Sequence, residues 1–161
     1  MAGFMTAGTA GRPGVVYTTA VTPVLTIAMT TDNKEMIFLK GVASTGIGSW
    51  VSYDEAGATL LLNTSTAGSL VSPLAVASAA TVASTYGWYY ISGAVSASLG
   101  SAVADNGKLY ASAADGVAED AVSAGNQIHG AYARVATTTA AVTAASVQIS
   151  RPFIGVTDAI I

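Results

Sequence analysis

His129 is the single histidine of this chain, and cysteine is absent. Nucleophilic or acid–base chemistry therefore has few carriers. A serine or threonine nucleophile needs a base within hydrogen-bond reach. His129 stands between Ile128 and Gly130 in a β-prone run, and the sequence holds no G-x-S-x-G elbow. A strand histidine at a surface or subunit contact is the stronger reading. Paired carboxylates serve glycoside hydrolysis or metal binding, and Asp54-Glu55 and Glu119-Asp120 are adjacent pairs beside glycine-containing turns. Neighbours on a strand point to opposite faces, so these acids read as solvated turn residues. A Ca²⁺ site near Asp115, Glu119 and Asp120 is the sharper alternative, although the D-x-[DN]-x-[DN]-G loop pattern is missing. The lack of cysteine removes a disulfide framework, a thiolate metal site and a cysteine nucleophile together. The chain thus reads as no enzyme, with no catalytic residue, no cofactor and no metal.

Phosphate cradles fare no better. Gly41-Val42-Ala43-Ser44-Thr45-Gly46-Ile47 has no lysine where a P-loop needs one, and Asn106-Gly107-Lys108-Leu109 lacks the upstream glycine and the hydroxyl after lysine. Asn63-Thr64-Ser65 matches the glycosylation sequon, but no secretory signal precedes it. Trp50, Tyr53, Tyr86, Trp88, Tyr89, Tyr90 and Tyr110 have the chemistry of a carbohydrate or base-stacking platform. In a chain so rich in alanine, large rings are instead expected to fill space between sheets.

The elements that would position these residues are short strands. Charged residues make up 9% of the 161 residues, against roughly 25% in ordinary soluble domains, and the net charge is −3. Such a surface repels its own copies weakly and tolerates close packing. The six basic residues are scattered, which argues against a nucleic-acid phosphate track. No stretch approaches the ~20 apolar residues of a membrane span. Residues 1–14 hold four glycines and a proline with few large side chains; they read as an extended N-terminal arm, leaving residues 15–161 as one domain. Within it, strands are expected over Val15–Thr22, Val24–Met29, Glu35–Ala43, Ser49–Tyr53, Thr59–Leu62, Tyr86–Gly93, Lys108–Ala113, Gln127–Ala136 and Ser146–Ile154. Pro73–Ala80 reads as extended and Asn63–Gly68 as a loop. Trp88 and Tyr90 should share one face of their strand, Tyr89 and Ile91 the other. Asn106-Gly107 signals a type I′ turn, and Asp115-Gly116 repeats a turn signal nine residues later. Strands at this spacing predict an all-β fold, a small β-sandwich or β-barrel.

Several segments resemble the tailed-bacteriophage capsid decoration, or cement, proteins. These are Met36–Ala43 followed by Gly48–Asp54, then Tyr86–Gly93, Gly107–Ala111, Asp115-Gly116, Ile128–Ala131 and Val147–Phe153. The resemblance covers about residues 35–153 and consists of a cadence of strand, glycine and turn. It implies a β-rich protein on the outer surface of the phage head, bound in many copies. It also implies the major capsid protein and neighbouring copies as partners, the latter as a homotrimer or other homo-oligomer, without nucleic acid or membrane. The family supplies no catalytic residues. Phe4, Met5, Arg12 and Tyr17, the larger side chains in or just after the arm, are the expected capsid or subunit contacts. The competing readings are a tail, neck or fibre component of the virion and a carbohydrate-binding β-module that uses the Trp/Tyr cluster.

Overall fold

The computed structural model describes residues 5–6, 12–67, 71–138 and 142–155. Among these residues, eleven strands and one short helix follow in order: β1 (Met5–Thr6), β2 (Ile27–Met29), β3 (Glu35–Lys40), β4 (Trp50–Tyr53), β5 (Thr59–Leu61), α1 (Thr64–Ala67), β6 (Ser72–Ala77), β7 (Tyr86–Leu99), β8 (Lys108–Ala111), β9 (Ala118–Glu119), β10 (Gln127–Ala133) and β11 (Thr143–Ile154). The chain is all-β, and its strands belong to one continuous sheet. No helix among the described residues is long and apolar enough to cross a membrane.

That sheet closes on itself twice, and β7 is common to both closures. In ring A, β7 pairs with β3 and β6, β6 with β4, and β4 with β5. A parallel bridge from Ala58 to Lys40 of β3 completes the circuit. In ring B, β7 pairs with β11, β11 with β10, β10 with β8, β8 with β9, and Ala118 of β9 returns to Leu99 of β7. Of the two architectures left open by the sequence, closed rings form.

The hand-over between rings depends on backbone conformation. Tyr86–Ser92 run along β3, whereas Ser92–Leu99 run along β11. Gly93 stands at the change with φ +113°, a region open essentially to glycine. On β11, Arg151 takes φ +45° immediately after the Ser150↔Ser92 pair. β11 thereby leaves β7, and its Phe153 and Ile154 pair with Pro73 and Ser72 of β6. β6 fits into the fork between them.

Side-chain alternation then sorts the core. On β6, Ala75 and Ala77 point into ring A with Ile37, Leu39, Val51, Tyr89 and Ile91. Leu74 and Val76 point the other way and join Trp50 to the ring B interior of Val95, Ala97, Leu99, Leu109, Val147 and Ile149. Trp88 falls on the face opposite Tyr89 and Ile91, as the alternation requires, and packs with Ala28, Met36 and Phe38 under Tyr17, Tyr86 and Tyr90. Ala97, Ala111, Ala118 and Ala133 are all fully buried in ring B. Barrel diameter grows with strand number, so a five-stranded ring is too narrow for a large side chain at every inward position. The alanine-rich composition follows from this geometry.

Thr81 closes one end of ring A. A Cβ on Gly41 would lie 2.6 Å from Thr81 Cβ, and one on Gly87 would lie 2.7 Å from Thr81 Cγ2. The two glycines admit the threonine, whose hydroxyl hydrogen-bonds the buried Tyr89 hydroxyl.

Several local expectations are corrected. Val15–Thr22 forms no strand beyond a bridge from Tyr17 to Tyr86. Val24 and Leu25 stay outside β2 because Leu25 adopts φ +69°. Asn63–Gly68 contains α1, with Asn63 as its N-cap: Thr66 N donates to Asn63 Oδ1 at 2.8 Å. Asn106 has φ +57°, but Gly107 is not in the left-handed region, so the turn is not type I′. It belongs to the loop from β7 to β8, two strands that do not pair with each other. Asp115-Gly116 does form a hairpin turn, joining β8 to β9. Finally, β7 continues six residues past Gly93 to Leu99.

Candidate functional site

His129 is packed against an aromatic ring, and Asp54, Asp115 and Asp120 bond to loop donors. The His129 ring stacks on Phe153 at 4.8 Å and 19°. Its Nε2 is buried without a hydrogen-bond partner. Asp54 Oδ1 accepts from Ala56 N at 3.0 Å and Ala58 N at 2.8 Å, closing its own turn. Asp115 Oδ1 accepts from Asn63 Nδ2 at 2.6 Å, and Asp120 Oδ2 accepts from Ala104 N at 2.8 Å. These acids satisfy loop donors one at a time. Among the described residues, no three His, Asp or Glu side chains gather where a metal ion could be held.

The expected contact residues lie along the N-terminal segment. Phe4 is outside the described residues. Met5 belongs to β1, which pairs in parallel with β2. Arg12 is exposed, and its backbone N donates to the Tyr17 hydroxyl at 2.6 Å. Tyr17 is half-buried: it exchanges two backbone hydrogen bonds with Tyr86, and its ring lies 6.1 Å from that of Phe38. Tyr17 therefore covers the aromatic cluster outside β3 and β7. The rings of Trp50, Trp88, Tyr89 and Tyr110 are buried, as a core role requires, and offer no open face.

The feature that sequence reasoning missed is the open end of ring A, opposite Thr81. The end of β4, the starts of β5 and β6 and the middle of β7 meet there, with β2 and the end of β11 alongside. A hollow of about 690 Å³ lies between Leu25, Tyr53, Leu60 and Pro73, and a second of about 310 Å³ continues it toward Ile27, Ile91 and Phe153. Tyr53, Val71, Ser72 and Pro73 line both. Large apolar side chains stand open on this surface: Val71 is 79% exposed, Leu60 51%, Phe153 45% and Ile27 37%. Asp54 and Glu55 mark one end of the groove. At the other, Arg151 Nε pairs with Glu35 Oε2 at 3.1 Å. Burial raises the Tyr53 hydroxyl above its ordinary pKa, and the positive charge of Arg151 opposes this. Tyr53 is consequently a neutral part of the apolar floor across the physiological range.

This arrangement has no converging reactive groups and a wide apolar opening. It is suited to burying another surface, since contiguous exposed apolar patches mark interaction sites. A signal existed in Thr59-Leu60-Leu61-Leu62, whose apolar residues occupy both faces of a strand. Its meaning emerges only when β6 and β11 are brought beside it. Comparison with protein-family profiles, curated proteins and solved structures finds no match to this chain.

Proposed function

We propose that this chain is a virion structural protein that binds the outside of a tailed-phage capsid in many copies and stabilises the head lattice. The open apolar end of ring A carries this reading. It offers contact area where 15 charged residues in all (six basic, nine acidic) leave little to repel a neighbour. The cadence shared with the decoration proteins points the same way. The major capsid protein and neighbouring copies are the partners, and many modest contacts sum through avidity on a lattice. Burying a leucine side chain contributes about 1.5–3 kcal/mol, and Leu60 is half exposed before contact. About 1 kcal/mol, or roughly five-fold in affinity, is therefore at stake there.

The test is the copy number of the protein per purified particle, relative to the major capsid protein, by quantitative mass spectrometry. A number comparable to the capsid protein is expected. A few copies per particle would move the protein to the tail or neck, and absence from the particle would overturn the virion reading. Leu60→Asp should weaken decoration of bare heads while the protein stays folded; the buried half of the side chain contributes about 1 kcal/mol to stability, a Tm decrease of about 2–4 °C.

A further inference from the structure

β2 carries a seat for an extended segment on the edge away from β3. In the structure β1 occupies it, in parallel register with Met5 opposite Ala28 and Thr6 opposite Met29. Two residues make a small attachment, and isolated short pairings are marginal in water. Parallel neighbours cannot be joined by a tight turn, so the seat is filled across a long connection that is itself fastened elsewhere. Gly14 N donates to Ser78 Oγ at 3.1 Å, and Tyr17 is bridged to Tyr86. The root of the arm is thus fixed on the body independently of the seat.

The sequence between seat and root is Ala7-Gly8-Thr9-Ala10-Gly11, with two glycines and no side chain larger than threonine. Beyond the root, Val15, Val16 and Val21 are exposed on a segment that forms no strand of its own, and Ile27 on β2 is exposed as well. A body lying against this side would cover that apolar strip. The contacts made in the seat are the same whichever copy supplies the strand. A second copy adds coverage of the valines, and a net charge of −3 opposes its approach only weakly.

We infer that β1 is exchanged: the β2 edge of each copy receives Met5–Thr6 from a neighbouring copy, and the arms link the copies. Six Cα steps separate Thr6 from Arg12, a reach of about 20 Å. Paired strands lie about 5 Å apart, so the neighbour's Met29 must lie within about 25 Å of this chain's Arg12, which sets copies side by side with the β2 edge of one facing the arm root of the next. A succession of such contacts closes into a ring if the rotation allows. The inference holds whether or not the protein sits on a capsid.

The absence of cysteine makes the test direct, because introduced thiols are the only ones present. Thr6→Cys is placed on a tagged full-length chain and Met29→Cys on an untagged one. The two are unfolded together, refolded, oxidised and separated without reductant. Exchange yields the tagged–untagged disulfide dimer as the main linked product. Removing residues 1–6 from the wild-type chain should lower its mass in solution from oligomer to monomer with the circular dichroism unchanged. The inference is overturned if Thr6→Cys/Met29→Cys on one chain closes wholly within that chain, or if no mixed dimer forms. It is equally overturned if the wild-type protein is a monomer, or if the truncated protein keeps the wild-type mass.

Discussion

Replacing Thr81 by valine removes one hydroxyl and almost no volume. The existing methyl by Gly87 is kept, and the new one takes the place of Oγ1 beside Gly41 and the Tyr89 hydroxyl, so the volume hardly changes and the lost hydrogen bond is the main effect. Thr81 and Tyr89 are both fully buried, and the Tyr89 hydroxyl loses its Thr81 partner. A buried polar group left unsatisfied costs about 1–3 kcal/mol. The Thr59 hydroxyl also interacts with Tyr89, while it donates to Lys40 O at 2.8 Å, so Thr81→Val is placed in the lower half of that range, about 1–2 kcal/mol. For a chain of this length that is a Tm decrease of about 2–8 °C. Tyr89→Phe alone leaves the Thr81 hydroxyl unpaired and costs about 1 kcal/mol. The double variant removes both partners, and its cost should fall below the sum of the two by about 1 kcal/mol. Urea unfolding followed through the buried Trp50 and Trp88 measures all four proteins, with an unchanged m-value expected. Additive costs, or a Thr81→Val effect below about 0.5 kcal/mol, would show that the hydroxyl pair does not hold the closed end of ring A.

The alkaline limb of stability should depend on the same tyrosine. Burial is the main cause that raises the Tyr89 pKa in the folded protein, so above about pH 10 the unfolded chain releases its proton first. Stability is complete below that pH and declines as pH rises toward the folded value; Tyr89→Phe should flatten the decline in a pH series of urea midpoints. Gly93→Ala forces a Cβ onto a backbone at φ +113° and 2.7 Å from Lys34 Cγ, costing about 1–3 kcal/mol from the backbone alone. Adding Lys34→Ala should not restore the urea midpoint, because the strain lies in the φ angle; full restoration would assign it to the clash.

Local features were legible in the residues because they arise between chain neighbours. Trp88 and Tyr89 fall on opposite faces because a strand has a period of two, and Asp115-Gly116 turns because Gly116 accepts φ +70°. Pro73–Ala80 reads as extended against the helix propensity of its alanines, and Ser72–Ala77 is β6. Val15–Thr22 misled for the converse reason. Its β-branched residues fit a pleated surface, but the edges it needs are taken: β3 is flanked by β7 and β2. Asn63 reads as a sequon, although its cap to Thr66 N is local; what the fold adds is the second contact, from its Nδ2 to Asp115 Oδ1.

Composition and alternation alone determine that this chain is all-β, built around small side chains, and poor in groups that could react. Steric preference and side-chain period act within a few residues and survive without tertiary context. Which strands become neighbours was decided by the tertiary structure. Glycine at φ +113° and Arg151 at φ +45° turn two long strands from one ring into the next, and neither conformation is signalled by its surrounding residues. The open end of ring A depends on that decision entirely. Leu60, Val71 and Phe153 lie far apart in the chain, and they form one apolar surface because the backbone pairings of β4, β5, β6 and β11 bring them together.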